Sequence, residues 1–184
     1  SNQVDRTNSL IFSGVYNNRT GINNTNVFSV SENIIKDANP KHGSIQKIYA
    51  EDTNLNIFQE NKVNRALIDK DAIYTAEGGR ITTSGAQIIG QITPYAGKYG
   101  ISKNPESYCT YGYRAYFSDK ARGVVLRLSN DGLEPISRYG MEDYFKDNLA
   151  ASTTIIGSYD TSKKEFNITL NHDTVSFKEN GNAW

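Results

Sequence analysis

Apolar positions along this chain fall in short alternating runs, separated by polar clusters that favour turns. Leu10-Ile11-Phe12-Ser13-Gly14-Val15-Tyr16 predicts a first strand. Asn17 to Asn26, with five Asn and Gly21, predicts an exposed turn region. Val27 to Val30 predicts a short strand, and Glu32 to Asp37 one helical turn stopped by Asn39-Pro40. From Ser44 the alternation sharpens. Ile45, Ile48 and Tyr49 open a strand, and Glu51-Asp52-Thr53-Asn54 turns it. Leu55, Ile57 and Phe58 return, Asn61-Lys62 turns again, and Val63 to Ile68 runs back. These runs and tight turns predict a meander of antiparallel strands over 44–75.

Residues 76–106 break the rhythm. Gly78-Gly79, Gly85, Gly90, Pro94, Gly97, Gly100 and Pro105 punctuate them, and only Ile88, Ile89 and Ile92 suggest a strand. The segment reads as a Gly-rich insertion, either an interface loop or an ordered connection between two sheets. At Ser107 the alternation resumes. Tyr108 to Tyr111, Tyr113 to Phe117, Val124 to Leu128 and Leu133 to Ser137 predict four strands, with Asp131-Gly132 a strong hairpin signal. Four short antiparallel strands in about 30 residues match one blade of a β-propeller. Met141, Tyr144, Phe145 and Leu149 fall at helical spacing, so 141–149 predicts the one helix, with Glu142 and Asp143 near its positive end. A last unit follows at 153–178. Phe166, Ile168 and Leu170 alternate with Asn167 and Thr169, and Val175 with Phe177 begins the next strand.

Ile48-Tyr49-Ala50-Glu51-Asp52, Tyr116-Phe117-Ser118-Asp119 and Ile156-Gly157-Ser158-Tyr159-Asp160 share a pattern: an aromatic strand ends at Asp and enters a polar turn. Asp119 and Asp160 are 41 residues apart, close to the roughly 40–50 of a propeller blade. These Asp residues are expected to cap their own turns rather than bind a ligand. Asn180-Gly181 predicts a hairpin turn that needs a strand after it, and the large aromatic Trp184 is expected to lack cover within the chain. The expected fold is therefore all-β: antiparallel, propeller-like meander blades with one short helix. Residues 1–184 are expected to form a single β-rich region, a fragment of a longer polypeptide and part of a larger β assembly. The 171–184 region is expected to pair with the continuation of that precursor or with a neighbouring subunit.

Composition agrees with this pattern. Asn, Ser and Thr supply 20, 16 and 14 of the 184 residues, which favours turns over long helices, while 12 Tyr and 7 Phe set the chain apart from disordered sequences. Lys plus Arg equals Asp plus Glu at 20 each, which argues against a nucleic-acid coat or a binder of anionic membranes. No apolar run approaches the roughly 18 residues of a membrane helix. Ser1 to Arg6 lacks the basic stretch and apolar core of a signal peptide. With one cysteine, Cys109, and two histidines, His42 and His172, neither an internal disulfide nor a Cys- or His-rich metal centre is expected.

Catalytic motifs are weak throughout. Gly97-Lys98-Tyr99-Gly100 lacks the spacing of a phosphate loop, and Arg127 sits where a calcium loop ending at Asp131-Gly132 would need its first acidic ligand. His172-Asp173 occupies a predicted turn without a nucleophile motif. Glu51-Asp52 and Glu142-Asp143 are common acidic pairs. Asn18-Arg19-Thr20, Asn23-Asn24-Thr25 and Asn167-Ile168-Thr169 match the glycosylation pattern at near-chance frequency. Tyrosines 95, 99, 108, 111, 113 and 116 offer either an aromatic platform for sugars or single strands, or packing between blades and at an assembly interface. No catalytic, cofactor-binding or metal-ligating residue is assigned, and no cofactor is expected.

Several strings are similar to tail muzzle ("stabilization") proteins of crAss-like bacteriophages. They include Gly100-Ile101-Ser102-Lys103-Asn104-Pro105-Glu106-Ser107-Tyr108, Tyr113-Arg114-Ala115-Tyr116-Phe117-Ser118-Asp119 and Val125-Leu126-Arg127-Leu128-Ser129-Asn130-Asp131-Gly132. Gly43-Ser44-Ile45-Gln46-Lys47-Ile48-Tyr49-Ala50-Glu51-Asp52, Ile57-Phe58-Gln59-Glu60-Asn61-Lys62-Val63 and Tyr139-Gly140-Met141-Glu142-Asp143-Tyr144-Phe145 extend the likeness over roughly 10–184. Family members are far longer than this chain. The resemblance implies a non-catalytic structural part of a short-tailed virion, analogous to podovirus nozzle proteins and assembled in the bacterial host cytoplasm. It would close the distal tail and line or gate the DNA exit path. Its expected partners are copies of itself in a ring, a hexamer, together with neighbouring tail proteins and, transiently, exiting phage DNA. The rival classes are a propeller-like glycan- or receptor-binding module and a polysaccharide-degrading enzyme.

Overall fold

The computed structural model describes residues 3–14, 16–31, 33–74 and 80–184; for 69–74 and 80–87 it describes the backbone. Among these residues it is an all-β structure of five antiparallel sheets with one α-helix. Two small sheets come from the N-terminal segment. Ser9–Ile11 (β1) pairs with Ile35–Asp37 (β4), and Tyr16–Asn17 (β2) pairs with Ile22–Asn23 (β3). The first large sheet is a meander of Ile45–Glu51 (β5), Asn54–Gln59 (β6), Val63–Tyr74 (β7) and Arg80–Ile89 (β8); Thr93–Pro94 (β9) also pairs with β7. The second holds Cys109–Tyr111 (β10), Arg114–Asp119 (β11), Val124–Ser129 (β12) and Gly132–Pro135 (β13) in sequence order. The helix Glu142–Ala151 (α1) follows. The third sheet is Ile155–Asp160 (β14), Glu165–Leu170 (β15) and Asp173–Lys178 (β16).

The three large sheets stack through shared walls. Side chains alternate across a strand, so neighbours in sequence enter different cores. On β6, Leu55 and Ile57 pack with Ala66 and Ile89, whereas Phe58 enters a second core with Val63, Ile101, Phe117 and Leu126. On β11, Ala115 and Phe117 face that second core. Tyr116, between them, enters a third core with Val125, Phe145, Leu149 and Phe166. Ring contacts mark both seams. Phe58 and Phe117 meet edge-on at 5.1 Å, and Tyr116 stacks on Phe166 at 4.8 Å. Phe145 and Leu149 on α1 are fully buried and cap the third core.

The meanders expected at 44–75, 107–137 and 153–178 and the single helix are present; β7 runs to Tyr74, with Thr75 outside the described residues, and β13 ends at Pro135 before a short 3₁₀ turn, Ile136–Arg138. The strand expected from Leu10 to Tyr16 ends at Ile11, and pairing resumes at Tyr16 in a different sheet; Val15 lies outside the described residues. Four further expectations differ. Val27 to Val30 forms no strand; it is a mostly exposed stretch whose Val27 N–H donates to Asn24 O. The segment expected as a helical turn at 32–37 supplies β4 instead, because Ile35 and Lys36 find a partner strand in Ile11 and Leu10; Glu32 lies outside the described residues. A partner strand decides what local propensity leaves open. The Gly-rich stretch 76–106 is not all connection: Arg80–Ile89 is a full strand against β7. Gly78-Gly79 lie outside the described residues, and beyond them β-branched Ile81, Thr82 and Thr83 outweigh Gly85.

The fourth difference concerns the end of the last hairpin. Lys178 and Ala183 exchange both backbone hydrogen bonds across the Glu179–Asn182 turn, where Gly181 has φ 118 and Asn182 φ 48. The reversal lays Trp184 on its own chain's third core. Its ring lies 4.6 Å from Phe145 and 5.1 Å from Phe177, and its Nε1 donates to Ile136 O at 2.9 Å. The described meanders stack in an open series and do not close into a ring. No helix among the described residues is long and apolar enough to cross a membrane.

At Gly157 of β14 an added Cβ would lie 2.0 Å from the carbonyl oxygen of Ser107, in the 3₁₀ turn Pro105–Ser107 that precedes β10. Relief would require backbone movement rather than a rotamer change. Gly157→Ala is expected to cost about 2–3 kcal/mol in urea unfolding, while exposed Ser158→Ala stays within about 0.5 kcal/mol.

Candidate functional site

The turn ends of the first and second sheets meet around a polar cleft. The two-residue turns are set by pairing register: Glu51 opposite Asn54, Tyr111 opposite Arg114, and Ser129 opposite Gly132. Gly112 adopts φ 59 and Gly132 φ 104, conformations that suit glycine in tight hairpins. The first sheet contributes Tyr49, Glu51, Asn56, Arg65 and Tyr95 to the cleft. The second contributes Thr110, Tyr113, Arg114 and Asn130. The enclosed part is about 80 Å³. A more open groove of about 320 Å³ shares Tyr113, Arg114 and Asn130 with it and adds Tyr111, Arg127 and Asp131.

The cleft wall is organised by hydrogen bonds between strands far apart in sequence. Tyr95 donates its phenol to Asn56 Oδ1 at 3.0 Å, and the Arg65 guanidinium lies 5.5 Å from the Tyr95 ring centroid. Burial raises the pKa of the Tyr95 phenol above its ordinary value, against the pull of Arg65. Tyr108 is raised further, chiefly by burial and then by Tyr49 and Glu51 nearby. Glu51 Oε1 and the Tyr108 hydroxyl are both buried without a hydrogen-bond partner. Such groups are uncommon in folded interiors.

Beneath the groove floor runs a chain of charges. Glu179 accepts from Arg127 at 2.6 Å and Arg114 at 3.1 Å, and from the Tyr116 hydroxyl. Glu134 accepts from Arg138 at 2.9 Å, and from Arg127 and Tyr139. Arg127 and Glu179 are only 15% and 12% exposed, so this lattice is screened less than a surface pair. It fastens the last hairpin to β11 and β12. The hydrogen bond from Tyr139, joined by Arg127 and Arg138, holds the Glu134 carboxyl below its ordinary value despite partial burial.

The three strand-terminal Asp residues serve different ends. Asp160 Oδ1 accepts from the Ser162 and Lys163 amides, the expected turn cap. Asp119 is fully buried and ties β11 to the 100–102 segment: it accepts from Gly100 N at 3.0 Å, Ser102 Oγ at 2.8 Å and Arg122 Nη1 at 2.8 Å. Asp52 sits at φ 50 in its turn. Among the tyrosines, Tyr116 is fully buried, and Tyr95, Tyr99 and Tyr108 pack against the second core. Tyr111 and Tyr113 remain open, 40% and 70% exposed. Tyr111 stacks one face on Tyr159 at 4.2 Å. His172 lies at an exposed turn. Burial pushes the Cys109 thiol up to about 12, in keeping with a packing group.

Sequence reading missed the Glu51–Arg65 cleft and the Arg127–Glu179 lattice. The available signal was charge inside alternating strands: Arg65, Arg114, Arg127 and Glu134 interrupt otherwise apolar or aromatic runs. A scan against protein-family models and a search of curated proteins return no match for this chain.

A lowered folded-state pKa at Glu134 means that its contribution is present above about 4.5 and is lost as pH falls through the folded value. Stability is expected to fall with acid in that window. Glu134→Gln is expected to lose about 1–3 kcal/mol at neutral pH and to show a shallower acid slope in denaturant titrations. Glu60, held low by hydrogen bonds from Ser44, leaves a residual slope in the variant.

Proposed function

We propose that this chain is a non-catalytic structural segment of a bacteriophage tail, a muzzle or nozzle part with propeller-like blades. It joins identical copies in a ring, a hexamer, at the distal end of the tail and lines or gates the DNA exit path. It is assembled in the bacterial host cytoplasm and comes to lie in the virion. The observation that carries the reading is the uneven distribution of exposed apolar side chains. Of the twelve large ones exposed among the described residues, eight lie between Val4 and Ile35, including Ile11, Tyr16, Ile22, Phe28 and Val30. Beyond Ile35, the described aromatics other than Tyr111 and Tyr113 are buried or half-buried, most of them in three successive cores. Concentrated apolar exposure beside a well-buried body is the mark of a surface that assembles.

Two further points support the reading. The strings similar to crAss-like phage muzzle proteins fall largely in the two meanders and their connections. The formal net charge of zero suits a wall that DNA must pass without sticking, since sequence-independent affinity for DNA needs an excess of Lys and Arg. The test is analytical ultracentrifugation of the chain up to about 0.1 mM, well into the range of weak self-association, followed by electron microscopy of the products. Ring-shaped oligomers that Phe28→Ser with Val30→Asp disperses are expected. A monomer at every concentration, and no trace of the chain in purified phage tails by mass spectrometry, would overturn the reading.

A further inference from the structure

We infer that the cleft between the turn ends of the first and second sheets is a saccharide-binding site for a neutral oligosaccharide of pyranose units. This inference is independent of the assembly reading, which rests on the N-terminal segment. The cleft is concave and lies between two packed sheets, where ligand sites are commonly built. The enclosed part between the sheets is about 80 Å³; the groove that adjoins it, lined by the second sheet alone and about 320 Å³, falls at the lower end of ligand-sized pockets, roughly 300–1,000 Å³.

Its chemistry suits a polyol. Each sugar hydroxyl both donates and accepts, so a site for one needs planar groups of both kinds side by side. Glu51 and Asp131 accept, Arg114 donates, and Asn130 does both. Glu51 Oε1 is buried with no hydrogen-bond partner among the described residues, an acceptor suited to a hydroxyl. Tyr113 stands 70% exposed at the rim and offers a ring to the C–H face of a pyranose. Tyr111 beside it is held in place by its stack on Tyr159.

Charge distinguishes this ligand from a phosphate or nucleotide. Arg114 and Arg127 are already neutralised by Glu179, and Arg127 also by Glu134. Arg65 is balanced within the same lining by Glu51. The remaining Asp131 leaves the groove without the positive excess that an anion requires.

The test is an amide NMR titration of the full chain with maltotriose, cellotriose and triacetylchitotriose, each to about 10 mM, the weak end of measurable affinity. Sodium phosphate is titrated in parallel. Saturable shifts are expected with at least one trisaccharide at the amides of Glu51, Gly112, Tyr113 and Asn130. Tyr113→Ala, at an exposed turn, should weaken that binding about tenfold. Glu51→Gln, which keeps the shape but weakens the acceptor, should weaken it by at least about threefold. The inference is overturned if no trisaccharide moves these amides, if Tyr113→Ala binds like the parent, or if phosphate alone reproduces the shifts.

Discussion

The structure depends on strands that are buried on both faces. A strand exposes alternate residues to opposite sides, so β6 and β11 each serve two cores at once. Ile57 and Phe58 are neighbours in sequence and occupy different cores, as do Tyr116 and Phe117. This sharing is how a chain with only 37% hydrophobic residues builds three packed interiors. None of the three large sheets is expected to hold its shape without its neighbour. A one-residue slip of β11 would place Tyr116 in the second core and Phe117 in the third, breaking both aromatic seams together.

Polar groups fix how the shared walls are aligned. Asp119 ends β11 and binds the backbone and side chain of the 100–102 segment, which itself bonds to Gln59 and Glu60 of the first sheet. On the other side, Glu179 draws Arg114 and Arg127 toward the last hairpin, and Trp184 closes over the third core from the same hairpin. Buried carboxylates of this kind add little net stability over apolar packing, yet they penalise any arrangement that leaves them unpaired. The polar cleft is a consequence of the same alignment. It opens where the turns of two wall-sharing sheets diverge, and there Glu51 and Tyr113 remain unused by the fold.

Much of this was legible in the sequence because it is local. Period-two alternation and tight turns located β5–β7, β10–β12 and β14–β16, and helical spacing of Met141, Phe145 and Leu149 located α1. What escaped was long-range. Ile35–Asp37 became a strand only because Ser9–Ile11 lies beside it. Arg80–Ile89 was hidden by the glycines around it. Trp184 looked uncovered because its cover comes from Phe145, Phe166 and Phe177, up to 39 positions earlier in the chain. The Arg127–Glu179 bond spans 52 positions and leaves no local pattern. The site was illegible for the same reason: Glu51 and Arg65 on one sheet meet Tyr113 and Asn130 on another only once both sheets are stacked.

Shared walls predict shared fate. If β6 and β11 are each common to two cores, the three large sheets unfold as one unit rather than singly. Native-state amide hydrogen exchange at rising denaturant measures this directly. Amides of Leu55–Phe58, Ala115–Ser118 and Phe166–Leu170 are expected to converge on a single opening free energy with a single denaturant dependence. A first sheet that opens at a distinctly lower free energy, while 115–118 and 166–170 stay protected, would contradict the account.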